Sequence, residues 1–238
     1  HPAGPDPLLA RLRTRIERVL RNADGTVGVA VRHLESGRGL AVNGDVLFPM
    51  ASAFKVPILV ELLAQAKEGK FTLEDEISVE KTDQHPGSGM ISSLIAPGIR
   101  LSVLNMAHFM MMISDNSATD ILLAKVGPAN ISARLRGIGI EGMTVGRSCE
   151  EMIADYRKAV AGLRDREERR NAIAAYSENP DDAATPSAMN ALLEKIVRRD
   201  ILDPESCDLV LDIMRKCETG EGRIKGLLPP GTEIAHKT

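Results

Sequence analysis

A chain of 238 residues with thirty basic and thirty-three acidic side chains, net charge −3, lacks the basic excess of a nucleic-acid binder. Aromatics at 3% and the absence of tryptophan leave no platform for stacking bases. Hydrophobic residues at 43% and charged residues at 26% suit a globular protein of one large domain or two intertwined ones, and no apolar run approaches a membrane span.

The opening His1-Pro-Ala-Gly-Pro-Asp-Pro is neither a charged nor an apolar leader, which fits a cytosolic protein or one whose signal peptide has been removed. Leu8, Leu9, Leu12, Ile16, Val19 and Leu20 recur at helical spacing and predict an amphipathic helix over 6–22. Residues 26–33 alternate as a strand, Glu35–Gly39 reads as a turn, and 40–43 reads as a returning strand. Apolar stretches at 56–63 and 109–113 suit buried helices, the first within a helix over 52–66. Ser102 caps a helix over 103–113. Helices are expected at 118–125 and at 129–135 after Pro128. Residues 152–176 read as one solvated helix with Arg–Glu pairs on its surface. Thr185-Pro186 is a cap with proline at the first helical position, opening a helix to about Val197. A further helix is expected over 204–217, then a turn at 219–222 and the start of a strand over 231–238.

Strands at both ends with helices between predict an α/β (α+β) chain. Residues 1–45 and 218–238 form one domain around a single sheet, and 46–217 form an inserted all-helical domain. The three cysteines, Cys149, Cys207 and Cys217, fit no zinc spacing and read as free packing thiols. Cys207 and Cys217, placed on one helix, stand about 15 Å apart along its rise, too far to bridge. The five histidines form no H-x-x-x-H pair, so neither a metal nor a cofactor is expected. His108 among methionines reads as a core residue. His85-Pro-Gly-Ser-Gly-Met90 reads as a loop. Its Ser88 lacks the strand-to-helix setting of a G-x-S-x-G nucleophile.

Three features carry chemistry. Ser52-Ala-Phe-Lys55 puts a hydroxyl and an amine on one helical face. A serine needs a nearby base, and a lysine serves when burial or a neighbouring cation lowers its pKa. Alone the motif is weak: S-x-x-K arises about once by chance in a chain this long, and a capping serine with a solvated lysine also fits. Ser114-Asp115-Asn116 lies between two predicted helices, where a loop presents side chains. It also suits an Asx-type turn and cap. Ser114 can pass a proton to a leaving nitrogen, and Asn116 can donate to a substrate carbonyl and to Lys55. Lys237-Thr238 on the last expected strand can anchor a carboxylate and polarise Ser114. Lys81-Thr82, in a polar stretch, is set aside.

The order S-x-x-K, S-D-N, K-T is the signature set of class A β-lactamases and penicillin-binding proteins. The chain resembles this family from the first helix to its last residue. Thr219-Gly-Glu-Gly-Arg223-Ile resembles the segment in which some members use an arginine to bind the substrate carboxylate. The resemblance implies a β-lactamase/transpeptidase-like fold and hydrolysis of the β-lactam amide. Ser52 would be nucleophile, Lys55 base and Ser114 proton donor. Asn116, Arg223, Lys237 and Thr238 would bind substrate, a β-lactam or a peptidoglycan-like molecule. No nucleic-acid partner and no membrane span are expected. The resemblance also implies export to the periplasm or exterior of a bacterium, with the signal peptide outside the sequence.

Two departures accompany it. The family's K-T-G glycine, its next strands and its C-terminal helix would lie beyond Thr238. Arg147 and Asp182 resemble the ion pair at the neck of the family's omega loop. The loop's usual Glu-Pro-x-Leu-Asn, which holds the hydrolytic water, is absent between them. The best spacing match is Glu167-Glu-Arg-Arg-Asn171, with Glu150 and Glu151 as rivals. A penicillin-binding peptidase or esterase that β-lactams block therefore stands as an alternative, and a non-catalytic sensor as another.

Overall fold

The computed structural model describes residues 6–95 and 98–238. Asp6 accepts from Leu8 N and caps helix α1, Pro7–Leu20. Strands β1, Val29–Arg32, and β2, Gly39–Val42, pair antiparallel with Val29 opposite Val42. Helix α1 packs on β2 and leaves Leu8, Leu12 and Val19 exposed.

A 3₁₀ turn, Ala51–Phe54, runs into helix α2, Lys55–Lys67. Positions 55–65 of α2 are all buried. A helix apolar on every side belongs at the centre of a domain, and α2 packs against four further helices. These are α3, Val103–Met112, α4, Asn116–Val126, α5, Pro128–Gly137, and α9, Pro204–Arg215. Leu59, Leu62, Met106, Met110 and Leu122 are fully buried there, each contributing about 1.5–3 kcal/mol of transfer free energy. Glu61, buried on α2, ion-pairs with Arg134 and accepts from Gln65, so the charge is not left unpaired.

The stretch 46–217, expected to be all helical, also carries β pairing. Strands β4, Glu76–Val79, and β5, Ile99–Ser102, form an antiparallel hairpin. Phe48–Pro49 (β3) pairs with Ala183–Ala184 (β6). The single helix expected over 152–176 is two, α6, Cys149–Val160, and α7, Arg166–Ser177. Ala161 leaves the helical conformation with φ −62° and ψ 130°, Gly162 takes φ 74°, and Asp165 caps α7 through Glu167 N and Glu168 N. Helix α8, Pro186–Arg198, is capped by Thr185 as expected and packs on β1 and α9.

The strand expected over 231–238 does not pair with β1 or β2. His236 N donates instead to Met214 O at the end of α9, so the terminal segment follows that helix. Cys217 lies beyond the end of α9, and all three thiols are free and buried. His108 is half-buried, and burial pushes its pKa below the ordinary histidine value. Residues 1–5, assigned to the first domain, lie outside the described residues.

Candidate active site

Ser52 sits in the 3₁₀ turn that leads into α2, after Ala51, whose φ of 44° is unusual for a residue with a Cβ. Ser114 takes φ 59° between α3 and α4. Such backbone costs about 1–3 kcal/mol and persists where surrounding contacts hold it. Residues 88–91 hold the two residues that follow Ser114. Asp115 Oδ2 accepts from Met90 N at 2.6 Å and Ile91 N at 2.9 Å, and its Oδ1 caps α4 through Ala118 N. Asn116 N donates to Ser88 O at 2.9 Å. A Cβ on Gly89 would stand 2.3 Å from the Asp115 carboxyl, so only glycine allows this approach. Ser88 therefore contributes a backbone carbonyl to the clamp.

The Ser52 and Lys55 side chains are joined through Ser114. Lys55 Nζ donates to Ser114 O at 2.7 Å, Ser114 Oγ at 3.0 Å and Asn116 Oδ1 at 3.1 Å. Ser114 Oγ donates to Ser52 Oγ at 3.0 Å. Lys237 Nζ reaches the same Ser114 Oγ at 3.0 Å. Asn116 thus accepts from Lys55, correcting the expected donation, and its Nδ2 donates to Pro86 O at 3.3 Å.

Lys55 is fully buried. Burial pushes its pKa down, and Cys149, Asp115 and Asp120 oppose the shift. Burial brings Lys237 down to about 8, helped by Lys55 and Arg223. Lys237 also donates to Thr238 O at 2.7 Å. Arg223 is exposed in the turn after α9. The Thr238 hydroxyl bonds to Thr219 Oγ1 at 2.7 Å.

The expected neck forms. Arg147 Nε donates to Asp182 Oδ2 at 2.8 Å, and Asp182 Oδ1 accepts from Gly146 N and Arg147 N. Glu167 does not join the site. It is exposed on the first turn of α7 and lines a separate hollow with Asp24 and Arg170. Glu151 accepts from Ser148 N in a capping box, and Glu150 lies 3.5 Å from His85 Nδ1. The Ser148-x-x-Glu151 spacing was the readable mark of this helix start.

Ser52 opens onto a cavity of about 230 Å³ whose other lining residues include Asn116, Cys149, Met152, Ile153, Tyr156 and Tyr176. Among the described residues no carboxylate lines it. Burial raises the Cys149 thiol to about 12 despite nearby Lys55. Asp120 of α4 accepts from Cys149 N at 2.6 Å and Glu150 N at 3.0 Å, fixing the start of α6 beside the cavity. Sequence reasoning missed both tyrosines, because no spacing rule joins residues on two helices of a hairpin.

Residues 11–238 match the profile of the Beta-lactamase enzyme family. The chain belongs to that family. It is 28% identical to Beta-lactamase VEB-1 of Pseudomonas aeruginosa, over 95% of this chain and 71% of that protein. A β-lactamase structure from Chitinophaga pinensis DSM 2588 superposes with a TM-score of 0.83 at 29% identity, covering 96% of this chain and 78% of that one. A mutant of PBP-A in acyl-enzyme complex with penicillin G gives a TM-score of 0.79 at 28% identity, covering 97% and 77%. The β-lactamase/transpeptidase-like α+β fold and the serine hydrolase class follow from this membership. No helix among the described residues is long and apolar enough to cross a membrane.

Proposed function

We propose that this protein opens β-lactam rings through an acyl-enzyme on Ser52 and releases the acyl group slowly. The observation that carries the reading is the Ser114 hydroxyl, which donates to Ser52 Oγ and accepts from both Lys55 and Lys237. A lysine that has lost its proton can accept one from Ser114 Oγ as Ser114 takes the Ser52 proton. Ser52 Oγ then bonds to the lactam carbonyl carbon. The C–N bond breaks, Ser114 delivers the proton to the ring nitrogen, and the lysine returns its proton to Ser114 Oγ. Water later adds to the ester and restores Ser52.

The Ser52 N–H, at the start of a helix, is a donor for the developing oxyanion. Lys237 and Arg223 supply positive charge for the substrate carboxylate, with Thr238 beside them. Asn116 Nδ2, engaged by Pro86 O through one hydrogen, keeps a second for the substrate amide.

Slow release is supported by the cavity itself, since among the described residues no carboxylate lines it to activate water and Glu167 lines another hollow. The same observation favours a second reading, a penicillin-binding peptidase or esterase for a peptidoglycan-like substrate. A role in antibiotic resistance and export to the periplasm or exterior belong to the first reading. So does the division into an α/β part, 1–45 with 218–238, and a part spanning 46–217.

Time-resolved intact mass with a chromogenic cephalosporin tests the proposal. An adduct that accumulates and then decays, with a burst of colour followed by slow continuing turnover, is expected. A stable adduct with one burst supports the penicillin-binding reading. If Ser52→Ala retains hydrolysis or labelling, the nucleophile is misassigned. No adduct and no colour would favour a sensor.

A further inference from the structure

We propose that the α6–α7 hairpin builds a subsite for an aromatic acyl side chain on the substrate bound at Ser52. The inference rests on the acyl-enzyme reading above. Its cavity has a reactive end and an apolar end. Ser52 and Asn116 stand at the first, and Met152, Ile153, Tyr156 and Tyr176 at the second. Among the described residues none that lines it carries a formal charge at neutral pH, so an ionised side chain would lose its water without gaining a partner.

Size and shape narrow the ligand further. An apolar cavity of about 150 Å³ takes benzene, and this one measures about 230 Å³. Tyr156 and Tyr176 meet edge to face, with ring centroids 5.7 Å apart and planes at 77°. A third ring can extend such an arrangement, since aromatic groups favour offset and edge contacts.

The wall is held in place. Tyr176 Oη donates to Met152 O at 3.1 Å and locks α7 to α6. The Arg147 guanidinium lies 5.9 Å from the Tyr176 ring centroid while binding Asp182 of the neck and Asp155 of α6. On the facing side, a Cβ on Gly87 would lie 2.5 Å from Asn116 Nδ2 and 3.5 Å from Ile153 Cδ1. The loop 85–90 thus packs directly against the cavity.

The test compares rates of Ser52 acylation by benzylpenicillin and by 6-aminopenicillanic acid, which has the same ring system without an acyl side chain. Intact mass of the full chain gives both rates. Benzylpenicillin is expected to react at least about 10-fold faster. Tyr156→Ala should cut the ratio of the two rates about 10-fold, and Tyr156→Phe, which keeps the ring, should preserve it. Equal rates in the parent protein, or a ratio unmoved by Tyr156→Ala in a variant that melts cooperatively, overturns the subsite and leaves the acyl-enzyme reading standing. Failure of Ser52 to take either compound overturns both.

Discussion

Lys55 and Lys237 bring their ammonium nitrogens to one acceptor, Ser114 Oγ, each at 3.0 Å. A hydroxyl has two lone pairs and one proton. With both lone pairs engaged, the proton points to Ser52 Oγ. The relay runs towards the base only after one lysine becomes neutral and accepts from Ser114. Burial lowers the pKa of both lysines, which reduces the cost of reaching that state.

The pH profile of acylation should show this. A neutral lysine makes the rate rise with pH. Loss of the Lys237 cation, whose pKa is about 8, should lower capture of the substrate carboxylate above that value. Lys237→Arg keeps its charge at any working pH and should move the falling limb upward. An unmoved limb in the second-order acylation constant between about pH 6 and 10 would separate Lys237 from carboxylate binding.

Stability should follow the same groups. Lys237 titrates at about 8 in the folded chain against an ordinary 10.5. Between these values the unfolded chain binds more protons, so stability should rise with pH across that window. Below it both states carry the proton, and the cost of burying the cation is constant. Lys237→Met should flatten the slope in urea unfolding, and an unchanged slope would assign it to other groups.

Ser114→Ala removes the shared acceptor and the donor to Ser52 together. Acylation should fall about 10²- to 10⁴-fold, the usual worth of a positioned proton carrier. Lys55 keeps its bonds to Ser114 O and Asn116 Oδ1, so the fold should survive. Stopped-flow acylation beside a thermal melt separates the two effects. Near-parental acylation would show that a lysine reaches Ser52 directly.

Much of this was legible because local rules carried it. Ser102 and Thr185 cap where their side chains and spacing demand. The Arg147–Asp182 pair forms, and Ser52 and Lys55 come together through Ser114 instead of by the direct contact their spacing suggested. The failures were matters of tertiary partner. Glu167 matched a spacing, yet Asp165 capping puts it on a different face of the hairpin from the tyrosines. The β4–β5 hairpin was missed because its connection, residues 80–98, is far longer than the roughly two to five residues that mark a hairpin in sequence. The terminal segment had a strand-like pattern, but its pairing depends on partners that pattern does not name.

Asp182 is the keystone of the hairpin's attachment. Its side chain is 2% exposed, and it binds the Arg147 side chain and two backbone N–H groups from a positive φ of 60°. Asp182→Ala leaves Arg147 short of a partner and should cost about 3–5 kcal/mol, as when one member of a buried pair is removed. Urea unfolding measures it. A loss under about 1 kcal/mol, the range of exposed pairs, would show that Asp155 and Tyr176 alone hold Arg147.

Cys149 lines the Ser52 cavity and lies close enough to Lys55 for each to act on the other's titration. With its pKa raised to about 12, the thiol is protonated at neutral pH and cannot draw a proton from water. Cys149→Glu would put a carboxylate beside a buried ammonium that stabilises its charge, with cavity space for the longer side chain. The benzylpenicillin adduct on Ser52 should then decay about 10²-fold faster, the lower range for a general base. Intact mass after rapid removal of excess penicillin gives the lifetime. An adduct as long-lived as the parent's, in a variant that still acylates, would show that release is limited by access of water and not by a missing base.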